Sequence, residues 1–353
     1  MDDMLKVLIV EDDQTKIQEW NDAIAAHNAD AAAKGFEITY IAARSARDAR
    51  RQIELHWFDA VVVDLRLETE PGVSEANNDG NELVRQILAA QPVGLVVFTG
   101  QRSEADEASY GTPQVKVMDK GDGLDQVFEW LADNRDVFQR LRAAKAAFNR
   151  EAAKVFFQSI WPRWKHWTVD GPDDAALTEV LARHMVAHVH DSLLSAGDDT
   201  THSEETYFVP PLKSRLDTGD MLDYEERTWI VVTPRCDLAR EPQIKTVVLA
   251  ACEDVSDQWD TLVAGKKVGA LQTFIQHNRS PKQHFLAPMR LGTTRRGPWM
   301  VQFHDIRSVP AQAALRDLVG LRFASLSSLF IPSLVERFGA YFSRIGTPGL
   351  SME

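Results

Sequence analysis

Short apolar, β-branched runs that break off at charged or hydroxyl-bearing residues constrain this chain more than any other feature. Residues 6–10 (KVLIV) stop at Glu11-Asp12-Asp13, 59–64 (DAVVVD) end on Asp64, 93–98 (VGLVVF) lead into Thr99, and 114–118 precede Lys120. Residues 38–42 (ITYIA) supply a fifth run. Runs that are apolar throughout, rather than alternating, are expected of strands buried on both faces. Helical spacing fills the intervals. Residues 15–26 place Ile17, Trp20 and Ile24 on one face, 45–55 begin at a candidate N-cap, Ser45, 80–90 follow, and Leu124 opens the next helix. Strands alternating with helices predict an α/β doubly wound five-stranded parallel sheet. In such a sheet the ligand sits at the carboxyl ends of the strands.

Those ends carry Glu11, Asp12, Asp64, Thr99 and Lys120. Three carboxylates at one point repel each other unless protons or a hard cation intervene, and Mg²⁺ takes oxygen ligands while keeping waters or a phosphate oxygen. In this order and spacing, LIVEDD, VVVDLRL, VVFTG and MDKGD resemble the receiver domain of two-component response regulators over about residues 4–135. The resemblance implies a flavodoxin-like fold, with Asp64 as phosphoacceptor. It implies Mg²⁺ held by Glu11, Asp12, Asp64 and the backbone carbonyl of Arg66, with Asp13 an extra neighbour. It also implies Thr99 as the hydroxyl that moves toward the phosphate and Lys120 as its pairing cation. The implied partner is a sensor histidine kinase or phosphotransfer protein. Three features depart from the pattern. The stretch 68–79 is long and polar, Gly121 stands where a proline commonly follows the lysine, and Val117 occupies the usual aromatic switch position.

Residues 125–161 contain neither Gly nor Pro and could run ~50 Å as one helix. Val137, Leu141, Ala144, Phe148, Ala152 and Val155 form an apolar stripe, which suits packing on the chain itself or a homodimer seam through residues 126–160. Arg140, Arg142, Lys145, Arg150 and Lys154 are expected to make a basic, solvated outer face. Trp161, Trp164 and Trp167 around Pro162 read as a hinge plug or core. Expected domains are thus a receiver at 1–125, a helical connector at 126–168 and an α+β output domain at 169–353.

That last part resembles no family. Residues 173–196 read as a helix on which His184, His188 and Asp191 share a face, a spacing that can bind a metal but also fits an ordinary amphipathic helix. Residues 198–205 read as a polar loop. Strands are expected at 207–210, 228–233, 245–251, 284–288 and 299–303, giving a small antiparallel sheet or barrel. A closing helix over 325–345 should break or kink at Pro332. Cys236 reads chiefly as a buried small residue; as a nucleophile it would need a base, for which His202, His277, His284 and His304 are candidates. Asp237, Glu241 and Lys245 lack the compact spacing of a metal nuclease, and 293–297 (TTRRG) read as a solvated basic hairpin rather than a phosphate contact.

Composition bounds the setting. Residues 1–125 carry 24 of the 52 acidic but 12 of the 39 basic residues, so nearly all of the net charge of −13 lies in the first third. The acidity of the whole therefore says little about the targets of the remainder. Two cysteines, a start (MDDMLKVLIV) without a basic signal region, and no apolar run of about 18 residues predict a cytoplasmic protein without membrane contact. The reading is a response regulator whose atypical output domain binds a protein or nucleic acid. A receiver-gated enzyme acting on nucleic acid or nucleotide, and a scaffold that is never phosphorylated, are the alternatives.

Overall fold

The computed structural model describes residues 4–67, 79–112, 114–168, 174–195, 202–240, 243–276 and 282–343. The chain forms two compact units, 1–196 and 197–353.

In the first unit, β1 (Met4–Val10), β2 (Glu37–Ala43), β3 (Ala60–Val63), β4 (Gly94–Thr99) and β5 (Lys116–Asp119) form a parallel sheet in the order β2-β1-β3-β4-β5. This is the flavodoxin-like order. Alternate residues of each strand feed two cores. Leu8, Val10, Val61, Val63 and Val97 face α3 (Ala46–Leu55) and α4 (Asp79–Ala90). Leu5, Val7, Ile9, Val62, Val96 and Phe98 face α1 (Gln14–Ala29) and α5 (Asp125–Asp133). The strands are apolar on both sides because both sides are covered. A short α2 (Ala31–Lys34) ends at Gly35 in the left-handed region. Ser45 caps α3 by accepting from the Asp48 amide. Between β4 and β5 the described residues form only two 3-10 turns, Arg102–Glu104 and Glu107–Tyr110.

The expected single connector helix is interrupted. Helix α5 completes the sheet's cover, the chain turns at Asn134, and α6 runs over Arg135–Val155. A π-helical turn (Phe156–Ile160), a 3-10 turn (Trp161–Arg163) with Pro162 at its start, and α7 (Trp164–Thr168) follow. Helix α8 (Asp174–Ser195) packs along α6, which is why the first unit extends to residue 196 rather than ending near 125 or 168. The basic face of α6 is only partly solvated. Arg142 pairs with the buried Asp59 and also donates to the Met4 carbonyl, and Lys145 donates to the Pro92 carbonyl while lying 4.6 Å over the Trp57 ring. The predicted stripe is split: Val137 and Phe148 stay 58% and 45% exposed. Trp161 and Trp164 are exposed rather than a plug, and Trp167 lies against His184.

The second unit holds a seven-stranded sheet ordered β10-β13-β9-β8-β7-β14-β6. Its strands are β6 (Tyr207–Phe208), β7 (Asp220–Tyr224), β8 (Arg227–Val231), β9 (Thr246–Asp254), β10 (Gln283–Leu286), β13 (Trp299–Pro310) and β14 (Arg322–Leu326). A separate hairpin joins β11 (Met289–Leu291) to β12 (Thr294–Arg296). Its arginines are ion-paired as well as solvent-facing: the exposed Arg295 forks onto Asp260, and the half-buried Arg296 onto Asp223 while covering the Phe323 ring. Strand β13 departs from its register with β9 between Gln302 and Ile306. The helices are α9 (Arg235–Leu238), α10 (Ser256–Ala264), α11 (Val268–Ile275), α12 (Ala311–Ala313) and α13 (Ile331–Phe342). Ser325 belongs to a strand, and Pro332 sits in the first turn of α13, so it opens that helix instead of kinking it.

Candidate functional site

Strand register assembles the acidic site. Val10 pairs with both Ala43 and Val63, so Glu11 and Asp64 leave adjacent parallel strands at the same level. The Glu11 amide donates to the Ala43 carbonyl, and the Asp64 amide donates to the Val10 carbonyl, each continuing its ladder by one residue. Thr99 pairs with Asp119 at the ends of β4 and β5, which brings Lys120 to the same rim.

Ligand oxygens of Glu11, Asp12 and Asp64 lie within 4.8 Å of one another, the one such acidic group among the described residues. The Lys120 ammonium donates to Glu11 Oε2 at 2.6 Å and to Asp64 Oδ2 at 2.8 Å. Glu11, Asp64 and Thr99 are buried, so this charge is largely withdrawn from water. Burial pushes the Glu11 carboxyl up, against the opposing pull of Lys120. Burial alone would lower Lys120, but the Asp64 and Glu11 carboxylates outweigh it and hold the ammonium charged. Carboxylate oxygens converging within 4.8 Å of one another in a mostly buried site fit a hard divalent cation such as Mg²⁺, which takes oxygen ligands. A cavity of about 180 Å³ opens beside Glu11 and Lys120, lined in part by Trp20 and Phe98.

The three consecutive acids divide their work. Asp13 turns away and caps α1, accepting from the Thr15 amide at 2.7 Å, and these amide bonds hold its carboxyl low. It is therefore a helix cap and no member of the acidic group. Gly121 also has a local explanation. Its amide donates to Asp119 Oδ1 at 2.7 Å, a bond that proline would remove. Val117 is buried in the core beside Tyr110. The long stretch at 68–78 lies outside the described residues.

Sequence reasoning missed two supports. A Cβ at Gly80 would lie 2.4 Å from the Leu65 Cα and 2.8 Å from the Asp64 carbonyl oxygen, so α4 rests directly on the backbone that carries Asp64. A glycine at the start of a helical pattern is the only signal in the sequence. The second is a polar chain around the β4–β5 connection. The Arg66 guanidinium forks onto Glu104, Asn81 donates to the Glu104 carbonyl at 2.9 Å, and the Tyr110 hydroxyl donates to Asn81 Oδ1. The Gln101 amide donates to Thr99 Oγ1 at 3.2 Å.

The other candidates are not assembled into sites. His184 and His188 contact each other, ring centroids 4.5 Å apart, with His184 also near Ser159, and Asp191 joins no metal-type group among the described residues. Cys236 is exposed, contrary to expectation, because it lies in α9 beyond the sheet; its thiol faces Asp237. Cys252 is the buried cysteine, and burial pushes its thiol well up. His202 caps a 3-10 turn, His284 is buried against Phe303, and His304 lies in the β13 irregularity. Lys245 precedes β9, while Glu241, His277 and residues 198–201 lie outside the described residues.

No protein-family model and no curated protein matches the chain. Solved structures do, over the N-terminal ~39%. A CheY-like receiver domain protein from Methanospirillum hungatei is 20% identical, with a TM-score of 0.29, covering 39% of this chain and 98% of its own. Response regulator protein TrrA from Thermotoga maritima, solved in complex with Mg²⁺-BeF, is 21% identical, with a TM-score of 0.26, covering 37% and 98%. A two-component response regulator of the LuxR family from Aurantimonas is 20% identical, with a TM-score of 0.28, covering 40% and 99%.

Proposed function

We propose that the chain is a two-component response regulator: residues 4–135 accept a phosphoryl group on Asp64, and the rest of the chain carries the response. The observation behind this reading is the Lys120 ammonium bridging Glu11 and Asp64, with Asp12 beside them, at the carboxyl rim of the parallel sheet. Glu11, Asp12, Asp64 and the Arg66 carbonyl are the residues that would hold Mg²⁺. When bound, the cation supplies charge neutralisation for an in-line phosphoryl transfer. Asp64 is the nucleophile: an oxygen forms the new P–O bond as the P–N bond of a partner's phospho-histidine breaks, its electron pair returning to the imidazole. Lys120 leaves Asp64 Oδ2 to pair with the phosphoryl oxygens. Thr99 turns its hydroxyl to donate to one of them, and that turn carries Oγ1 away from the Gln101 amide from which it now accepts. Loss of that contact reaches the 3-10 turns and the Arg66–Glu104 pair, so the β4–β5 connection is the element the phosphoryl group biases.

The proposed partner is a histidine kinase or phosphotransfer protein, in the cytoplasm. No helix among the described residues is long and apolar enough to cross a membrane. The test is intact mass after incubation with acetyl phosphate and Mg²⁺, and with a panel of phosphorylated histidine kinases. One added phosphoryl group, absent in Asp64→Asn, is the expected result. No addition from any donor would return the scaffold reading to first place.

A further inference from the structure

Helix α11 is apolar (VGALQTFI), yet none of its eight residues is buried, and Val268 is 64% exposed. So short a helix is marginal in water and needs a packed face. Beside it lies an open groove of about 740 Å³, walled by Leu262, Phe274, Phe285 and Met300. Phe285 is held by Trp259, stacked at 5.5 Å, and by Phe274, edge-on at 5.8 Å. A second cavity of about 650 Å³ shares Glu253 and Gln283 with the first and reaches Gln302 and His304. Either volume would suit a single small ligand. Two such cavities meeting at common residues, along the edge strand β10, suit a chain segment.

The shared wall has a polarity. Gln302, which is buried, donates through Nε2 to Glu253 Oε2 at 2.7 Å and accepts from Gln283 Nε2 at 3.0 Å. A carboxylate only accepts, so Glu253 fixes which end of each amide faces which neighbour. Toward a ligand the wall offers the Glu253 oxygens and the Gln283 side-chain carbonyl as acceptors beside the second N–H of each amide, and its one formal charge is the Glu253 carboxylate. The second cavity adds Glu226, Asp254 and Asp305, and Arg227, the one arginine among the described residues that line it, pairs with Asp305 at 2.6 Å. Nucleic-acid phosphates would meet this carboxylate-rich wall unfavourably.

We propose that this groove is a docking site for an extended segment of another protein, with apolar side chains against Phe285, Phe274 and α11 and an arginine or lysine at Glu253. The inference rests on the second unit alone and does not depend on the phosphoacceptor reading. Its test uses the full chain and a fluorescein-labelled 12-residue peptide of alternating Leu and Arg, read by anisotropy. The same peptide with Glu for Arg, and a single-stranded 12-nucleotide DNA, run beside it. The Leu/Arg peptide is expected to bind, and Gly269→Trp and Glu253→Gln each to weaken it at least tenfold. Gly269 lines the groove and a Cβ there meets nothing within 4 Å, so a side chain can be added at the groove wall without a clash at its root. Glu54→Gln, on the exposed face of α3, removes the same charge elsewhere and should change nothing. Absence of peptide binding, or equal affinity in the parent and both groove variants, overturns the proposal. Tighter binding of the DNA than of the peptide also overturns it, in favour of a nucleic-acid target.

Discussion

A methyl group at position 80 would have to displace the backbone of Leu65 and Asp64, which has nowhere to go without moving the acidic site. Glycine to alanine within a helix normally gains about 1 kcal/mol. Here the clash wins, and Gly80→Ala is expected to destabilise the protein by roughly 2 kcal/mol and to abolish phosphoryl uptake. A parent-like melting temperature and mass shift would disprove the close-approach argument. Glu11 gives a pH test. Its folded value is raised above the ordinary 4.5, so the folded state holds the proton more tightly than the unfolded chain. Its contribution to stability is therefore present at acid pH and is lost as pH rises from about 4.5 through the folded value. Metal-free Glu11→Gln should lack that loss and melt higher than the parent at pH 7, while losing Mg²⁺ affinity. Melts across pH 4–8, with and without Mg²⁺, check both parts.

Helix α6 shows how one element can answer two demands. On one side Phe138 is buried in the core and Arg142 reaches the buried Asp59, which also accepts from the Lys6 amide at 2.7 Å. Arg142→Ala leaves that carboxylate short of a partner, and a loss of about 2 kcal/mol is expected by denaturant titration. On other faces Val137 and Phe148 stay exposed, as do Leu193 and Leu194 of α8. Val137, Leu141, Ala144 and Phe148 step by four, three and four, the spacing that seats a second helix. We expect this hairpin to pair with a second copy once Asp64 is phosphorylated. Light scattering with Mg²⁺ and beryllofluoride should show a doubled mass, lost in Phe148→Glu combined with Leu193→Glu. Unchanged mass in the parent would sink the dimer switch.

For the whole molecule, each unit has its own sheet and its own cores. Fragments 1–196 and 197–353 are expected to fold alone, the first retaining phosphoryl uptake and the second the peptide groove. Calorimetry of each fragment checks this, and absence of a cooperative transition in either would count against independent folding. A boundary near 125 would strip α5 from the sheet it covers, and one near 168 would leave α8 without the helix it packs on, so fragments made there should aggregate.

The parallel sheet and its rim were legible because burial on both faces demands uninterrupted apolar strands, and because register then lines up whatever ends them. Glu11, Asp64, Thr99 and Lys120 could be placed from that logic alone. The separation of Asp13 from Glu11 and Asp12 could not, since consecutive acids look alike until one of them finds the free amides of α1. The two-sided role of α6, the contact beneath Gly80 and the paired arginines of the β11–β12 hairpin depend on neighbours distant in sequence. The same holds for the exposed Cys236 and for α11. An apolar octet reads as core, and only the folded sheet shows that nothing in the described chain buries it. Local patterns decide which segments can be strands and helices; which of their faces remain uncovered is decided by long-range packing.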